Sequence, residues 1–586
     1  MDEVLIRTHS RGYDVETEWK QGLCGICPAG CWVEVGLDNG RLVDIRADES
    51  HMLGTICRRG EYSPSIVYSD DRLKYPLRRS GGKGSYQFER ISWDEAYKTI
   101  VNNLERIKEE SGPEAVAIYT GRGAQEQSLC DMFQPKGVSS SSASNVLFPF
   151  GSPNTTGVGA LCYVSLHVIA PHVTMGRTQI NMFPDLENAD MVFVWGTNPA
   201  TDSPPTDMQR LEDAARRGAD VVVIDPLRTE TVVRTNAQWI PIRPGTDGAL
   251  ALSIASVMID EDIYNEEFVE KWCYGFEEFK TYVQHFRPEV VETITGVSAD
   301  TIRSLAFRIC QASGASLLMY TGLEFSNTGV QSARAVLTLF AMAGQLDVPG
   351  GIGLSMLNGQ FPINHSSNQQ NPNLELAIGR REFPIYSNYR GESHAIAMVD
   401  SVLHGTPYRT RGLIIHGSSM LTSWPQTPVW RKTLSGLDFL VCIDRQLTAD
   451  CAYADIVLPA TTMFENLSYM VYGPIFRLRE RIVEPVGESR NDYLIMAELA
   501  KHLGYGHLFP QTEEGMVNQA LQGSGYTLED VRAAGGWVRI PTPMIEYVKW
   551  QKGSLCKDGK PGFDTPTGKF EIWSTIFEDN GLFNNV

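Results

Sequence analysis

An α/β protein of several packed units, with a small cysteine-rich unit at its N-terminus, is the fold class the sequence predicts. Three observations lead there. From about Leu77 onward short apolar runs alternate with helical periodicity, four cysteines crowd between positions 24 and 57, and 586 residues exceed what one core spans, so two to four units are expected.

The elements follow in chain order. Cys24-Gly25-Ile26-Cys27-Pro28-Ala29-Gly30-Cys31, then Cys57, set four thiols beside Gly25, Pro28 and Gly30, residues that let a chain curl tightly. Thiolates are soft, charged donors, so three on one loop and a fourth from a distant turn read as an iron-sulfur arrangement. Zinc is the competitor, but its structural sites usually pair two short C-x-x-C hooks, and the distal half here holds one cysteine. Ser92-Trp93-Asp94-Glu95 forms a capping box that opens a helix of roughly four turns, with Ala96, Ile100, Leu104 and Ile107 on one face. The runs Ala115–Tyr119, Met191–Trp195, Val221–Ile224, Leu317–Tyr320, Leu413–Ile415, Phe439–Ile443 and Ile456–Leu458 read as buried strands. Lys136–Asn145, Asn358–Asn373 and Gly553–Thr567 read as loops.

Composition narrows the function. With 51 basic against 70 acidic residues the net charge is −19, which disfavours nucleic acid and anionic lipid surfaces as partners. No apolar window of about 18 residues and no export signal in Met1–Lys20 are found, so membrane insertion is not expected and a cytoplasmic location is. Eleven cysteines, an odd number in a long chain, do not form a disulfide framework. Cys130, Cys273, Cys310, Cys442, Cys451 and Cys556 are expected to be small buried hydrophobes. Searches for G-x-S-x-G, G-x-x-x-x-G-K-[ST] and H-E-x-x-H return nothing, which sets hydrolase and phosphotransferase readings aside.

Small-residue turns at strand ends supply candidate ligand sites. Gly196-Thr197-Asn198-Pro199 follows one strand, where α/β sheets bind ligands and Gly196 lets backbone amides approach a pyrophosphate. Asp225 ends the next strand, placed to accept hydrogen bonds from a ribose or base edge. Pro244-Gly245-Thr246-Asp247 opens the helix Gly248–Ile259, whose first amides are an anion site unless Thr246 or Asp247 merely caps it.

Cys24, Cys27, Cys31 and Cys57 with Arg58-Arg59-Gly60 resemble the N-terminal signature of the molybdopterin oxidoreductases of the dimethyl sulfoxide reductase family. The similarity continues in order through Ile91–Ala96, Gly196–Pro199, Ile224–Pro226, Arg228-Thr229, Pro244–Leu250, Ala454–Pro459 and Thr565–Lys569, essentially the whole chain. It implies a small iron-sulfur domain over 15–78 and two interleaved doubly wound α/β domains. One, formed by 79–156 and 358–500, would bind one pterin nucleotide. The other, 157–357, is Rossmann-like and would bind the second, and 501–586 is a return segment. The family's C-terminal barrel is absent from this expectation, so a separate small subunit would supply the pterin cover or the chain is truncated.

The resemblance further implies a [4Fe-4S] cluster and molybdenum or tungsten with two molybdopterin guanine dinucleotides. Gly196, Asn198, Pro199, Asp225, Arg228, Thr229, Gly245, Asp247, Gly322, Gly417, Ser418 and Asp444 fall at the nucleotides, and Arg59 between cluster and pterin. Leu227 and Ser419 depart from the family's arginine and asparagine. Gly151-Ser152-Pro153-Asn154 followed by Cys162-Tyr163 resembles the segment carrying the metal ligand, which makes Cys162 the candidate. His167, His172 and His365 are candidate proton donors. Tyr163 stands where formate dehydrogenases have histidine. Acetylene hydratases resemble the chain around Gly151–Cys162 and Phe268–Gly275, but carry aspartate where Pro28 stands. The expectation is two-electron redox on a small-molecule substrate, as in cysteine-ligated polysulfide, thiosulfate, nitrate and arsenate reductases, with electrons leaving through the cluster to an electron-transfer subunit. A non-redox hydratase or transhydroxylase, and a cluster-carrying scaffold without active metal, remain as alternatives.

Overall fold

The computed structural model describes residues 17–27, 29–52, 54–124, 130–138, 143–177, 182–201, 205–354, 360–542 and 544–582. Pro28, the serines at 139–142 and residues 358–359 of the predicted loops lie outside these residues, as does the chain before residue 17.

The cysteine-rich segment folds on an antiparallel meander of Glu18–Leu23, Trp32–Asp38 and Arg41–Ala47. Val33, Val35, Leu37, Leu42 and Ile45 alternate inward and build a small core that Met463 and Phe464 close from the far end of the chain.

All seven apolar runs form parallel strands, divided between two sheets. Burial on both faces leaves no polar alternation in such strands, which is why they read as continuous apolar runs. The smaller sheet has the order Gln238–Ile240, Asp220–Ile224, Met191–Trp195, Ala315–Met319, all parallel. Its two inner strands run outward in sequence and the chain then returns to the other side of Met191–Trp195, so the order reverses between Met191–Trp195 and Ala315–Met319. The larger sheet has the order Ile456–Pro459, Phe439–Asp444, Gly412–His416, Val116–Thr120, Asn154–Gly157 in parallel, with Leu77–Arg79 and Phe88–Arg90 added antiparallel at one edge. Here the reversal falls between Val116–Thr120 and Gly412–His416. Ligands in open α/β sheets bind at such reversals, beyond the carboxyl ends of the strands.

The capping-box helix runs Trp93–Ser111, about a turn longer than expected, with Ala96, Ile100, Leu104 and Ile107 buried beneath the larger sheet. The helix expected at Gly248–Ile259 is Asp247–Asp260, sunk in the core of the smaller unit. The described parts of the three predicted loops contain no strand, and amides pin one of them: Asn371 donates to the Pro153 carbonyl at 2.9 Å. Cys273, Cys442 and Cys451 are buried as expected, whereas Cys310 and Cys556 are only partly buried. Beyond Lys549 the chain returns to the smaller unit, where Trp550, Phe563, Phe570 and Ile572 enter its core and Phe570–Glu571 pairs with Cys273–Tyr274. Among the described residues no helix is long and apolar enough to cross a membrane.

Candidate functional site

The cysteine loop brings its four thiols within electrostatic reach of one another. Burial chiefly, then the neighbouring Cys24, Cys27 and Cys57, pushes the Cys31 thiol up to about 12, and burial raises Cys24 to about 11. Thiols so placed give up their protons only to a bound cation, which is the chemistry of a metal-thiolate site. Among the described residues no three His, Cys, Asp or Glu side chains converge on one point as ligands of a single ion do. Gly30 takes φ +53°, a conformation only glycine adopts freely, and the Cys24 amide closes the loop on the Cys31 carbonyl at 2.9 Å. Cys57 opens the short helix Arg58–Glu61.

Each sheet reversal is occupied by a pair of glycine turns. At the smaller sheet Gly196, at φ +63°, faces Gly322, whose N–H donates to the Gly196 carbonyl at 2.9 Å. A Cβ on Gly322 would sit 2.6 Å from the Gly196 Cα. At the larger sheet Gly417, at φ +61°, faces Gly121, where a Cβ would collide with the Gly417 carbonyl. The N–H of Gly196 donates to Ile224 at 3.0 Å and that of Gly417 to Ile443 at 2.8 Å, each at the end of the adjoining strand. Asp225 directly follows its strand and Asp444 is the last residue of its own. Burial raises both carboxyls, Asp444 to about 6. Two units of different strand order have converged on one device, a side-chain-free turn beside a strand-end carboxylate.

Around these turns the predicted residues divide. Asn198 is committed within the protein: its Oδ1 accepts from the Thr231 hydroxyl at 2.6 Å. At the corresponding turn Ser419 is too short for that task, and Asp450 supplies the acceptor, taking the amides of Met420 at 2.6 Å and Leu421 at 2.9 Å. Tyr119, near the end of the neighbouring strand, accepts from Trp424 Nε1 at 3.1 Å. Thr246 does not cap its helix, since its hydroxyl donates to the Arg243 carbonyl at 2.7 Å, and Asp247 accepts from Trp195 Nε1 at 2.9 Å. Gly245 and Asp247 thereby stand beside the Gly196 turn. Arg228 is exposed, and the buried Thr229 Oγ1 has no hydrogen-bond partner among the described residues.

Two cavities join the turns to the cysteine loop. One of about 710 Å³ is lined by Cys57, Arg58, Arg59 and Pro199, so the predicted Arg59 does face the first turn. The other, about 340 Å³, lies between Gly25, Ile26, Gly417, Ser418 and Asp444.

Cys162 follows the edge strand Asn154–Gly157 and precedes a π-helical turn, Ser165–Ile169, a local distortion common at functional sites. Burial raises its thiol, Arg122 opposes this, and Glu324 adds to it. Neither Arg122 nor Glu324 was singled out from sequence, because nothing local marks them. Glu324, buried in the turn that holds Gly322, accepts the Leu166 amide on Oε2 at 3.0 Å, while Oε1 has no partner among the described residues. Burial lifts it to about 7. His167 lies edge-on to Tyr163 and Tyr320 and is depressed to about 3, mainly by burial and then by Arg122, and His172, against Tyr389, falls to about 4. A proton donor must hold a proton near neutrality. Burial moves Glu324 towards that range and both histidines away from it. His365 is exposed, with Nδ1 3.3 Å from the Asp131 carbonyl. Tyr163, beside Cys162, accepts from Arg390 at 2.8 Å, and Arg390 is paired with Glu392 at 2.9 Å in a fully buried network.

Comparison with known proteins agrees with these features. The molybdopterin oxidoreductase family profile matches residues 72–502, and the molybdopterin oxidoreductase Fe4S4 domain matches residues 17–69. The probable oxidoreductase YoaE of Bacillus subtilis is 29% identical over 96% of this chain and 79% of its own. The thiosulfate reductase molybdopterin-containing subunit PhsA of Salmonella typhimurium is 27% identical over 98% and 78%. Among solved structures, acetylene hydratase from Pelobacter acetylenicus superposes with a TM-score of 0.81 at 25% identity, covering 96% of this chain and 79% of that one.

Proposed function

Because this chain belongs to the molybdopterin oxidoreductase family, we propose that it carries out two-electron redox chemistry on a small molecule at molybdenum or tungsten held by Cys162, exchanging electrons with a partner subunit through the [4Fe-4S] cluster on Cys24, Cys27, Cys31 and Cys57. The metal-pterin group and the cluster are the cofactors of the family. The finer assignments, two guanine dinucleotides and the cysteine ligand, are this reading's own. When bound, the metal would supply an exchangeable coordination position and two oxidising equivalents.

The chain's own residues supply the rest. The turns Gly196–Pro199 with Gly322, and Gly417–Ser418 with Gly121, would each seat one nucleotide, with Asp225 and Asp444 accepting hydrogen bonds at its far end. Arg390 and Glu392, through Tyr163, would hold the backbone that presents Cys162. The observation that carries the reading is that the two segments bearing the four cysteines wall one cavity each, Cys57 with Arg58 and Arg59 at the first turn and Gly25 with Ile26 at the second. A cluster there would lie against both nucleotide sites.

The likeness to acetylene hydratase favours a second reading, a non-redox hydration. Anaerobically purified protein is therefore assayed first for metal and then for turnover. About four irons and one molybdenum or tungsten per chain are expected, with a dithionite-reduced cluster reoxidised by a sulfur oxyanion or polysulfide. Hydration of an alkyne with no change in the cluster signal would establish the second reading. Four irons without heavy metal would instead mark an electron-transfer scaffold.

A further inference from the structure

Two arginines lie against the cysteine loop, although they are more than 440 residues away in sequence. The strand Ile475–Arg479, central in an antiparallel sheet with Ser468–Tyr472 and Trp537–Arg539, carries Arg477 and Arg479, neither with any exposure to solvent. Arg477 donates to the carbonyls of Ala29, at 3.3 Å, and Gly30. A side chain on Gly30 would meet its Nη2 at 2.8 Å, and one on Gly25 would collide with Arg479. Arg479 also donates to Asn466 Oδ1 at 2.9 Å. The two guanidiniums divide the loop between them: Arg477 lies at Ala29 and Gly30 and Arg479 at Gly25.

Burying a guanidinium is expensive unless an anion faces it. The hydrogen bonds of Arg477 to the loop end on neutral carbonyl oxygens. Four thiolates around a [4Fe-4S] core leave a net negative charge, which one-electron reduction increases. On the reading that this loop holds such a cluster, we propose that Arg477 and Arg479 are its fixed counter-charges and raise its reduction potential. They favour the reduced cluster because an added electron is attracted by both cations across a water-free interior. Gly25 and Gly30 are glycines partly so that the guanidiniums can approach the loop backbone.

The test is an EPR-monitored redox titration of the full chain, purified anaerobically, as wild type and as R477K, R477Q, R479K and R479Q, after an iron count on each. Both glutamine variants should titrate at a more negative midpoint, with the lysine variants near wild type. R481Q, which removes a partly exposed cation next to the same strand, should shift the midpoint less. Intact clusters with unchanged midpoints in R477Q and R479Q overturn the proposal. Loss of the cluster in the glutamine but not the lysine variants supports it, since charge and not shape is then required. Loss in both kinds overturns it. Iron missing from the wild type would instead defeat the cluster reading on which the proposal rests.

Discussion

Single residues govern how closely backbone can approach backbone at the sheet reversals. Gly322 has no space for a Cβ, with the Gly196 Cα 2.6 Å away. Gly322→Ala should lower stability by about 1–3 kcal/mol, as overpacking does, and reduce pterin content more than iron content. Equal retention of pterin and iron would remove Gly322 from the nucleotide site. His394 gives a pH signature. It stacks on Phe383 at 4.0 Å and accepts the Ile396 amide, and burial depresses it to about 4 from an ordinary 6.5. A base with a depressed folded value contributes stability that is present above 6.5 and lost as pH falls towards 4. His172 acts over the same window and His167 to about 3. The contribution of His394 is at most roughly 3 kcal/mol. The thermal midpoint should drop between pH 7 and 5, and less so in His394→Asn. Parallel curves for the two proteins would assign the acid sensitivity elsewhere.

At the scale of elements, the helix Trp93–Ser111 was legible from its first four residues and its apolar spacing. Its capping box is formed as expected, with Ser92 Oγ accepting from Glu95 N–H at 3.2 Å and Glu95 returning to Ser92 N–H at 3.0 Å. Ser92→Ala should cost about 1 kcal/mol in a urea titration without changing cofactor content, because the helix lies beneath the sheet and away from the strand ends. The seven strands were likewise legible, since parallel strands buried on both faces are continuous apolar runs. Their division between two sheets was not, because an apolar run carries no label for its neighbour. The strand Ile475–Arg479 was missed: alternating Arg477 and Arg479 mimic a solvent-facing edge, yet both point into the interior.

For the whole molecule, the chain past Lys549 ties its end back to the smaller unit through Trp550, Phe563, Phe570 and Ile572. Phe570 is fully buried, edge-on to Phe563 at 5.9 Å. Phe570→Ala should cost about 3–5 kcal/mol and expose the stretch around Gly553–Thr567 to limited proteolysis at temperatures where the wild type resists. Unchanged cleavage would mean that other contacts hold the segment. The sequence alone determined the cysteine loop, the helix cap, the seven buried parallel strands and the glycine turns, because these depend on residue type and on spacing within a few turns of chain. Only the tertiary structure decided that Gly121 faces Gly417 and Gly322 faces Gly196, that Glu324 binds the turn after Cys162 through the Leu166 amide, and that Arg477 and Arg479 back the cysteine loop. These pairings join residues between about 120 and 450 positions apart, and such contacts follow from how sheets and units pack, which local periodicity does not encode.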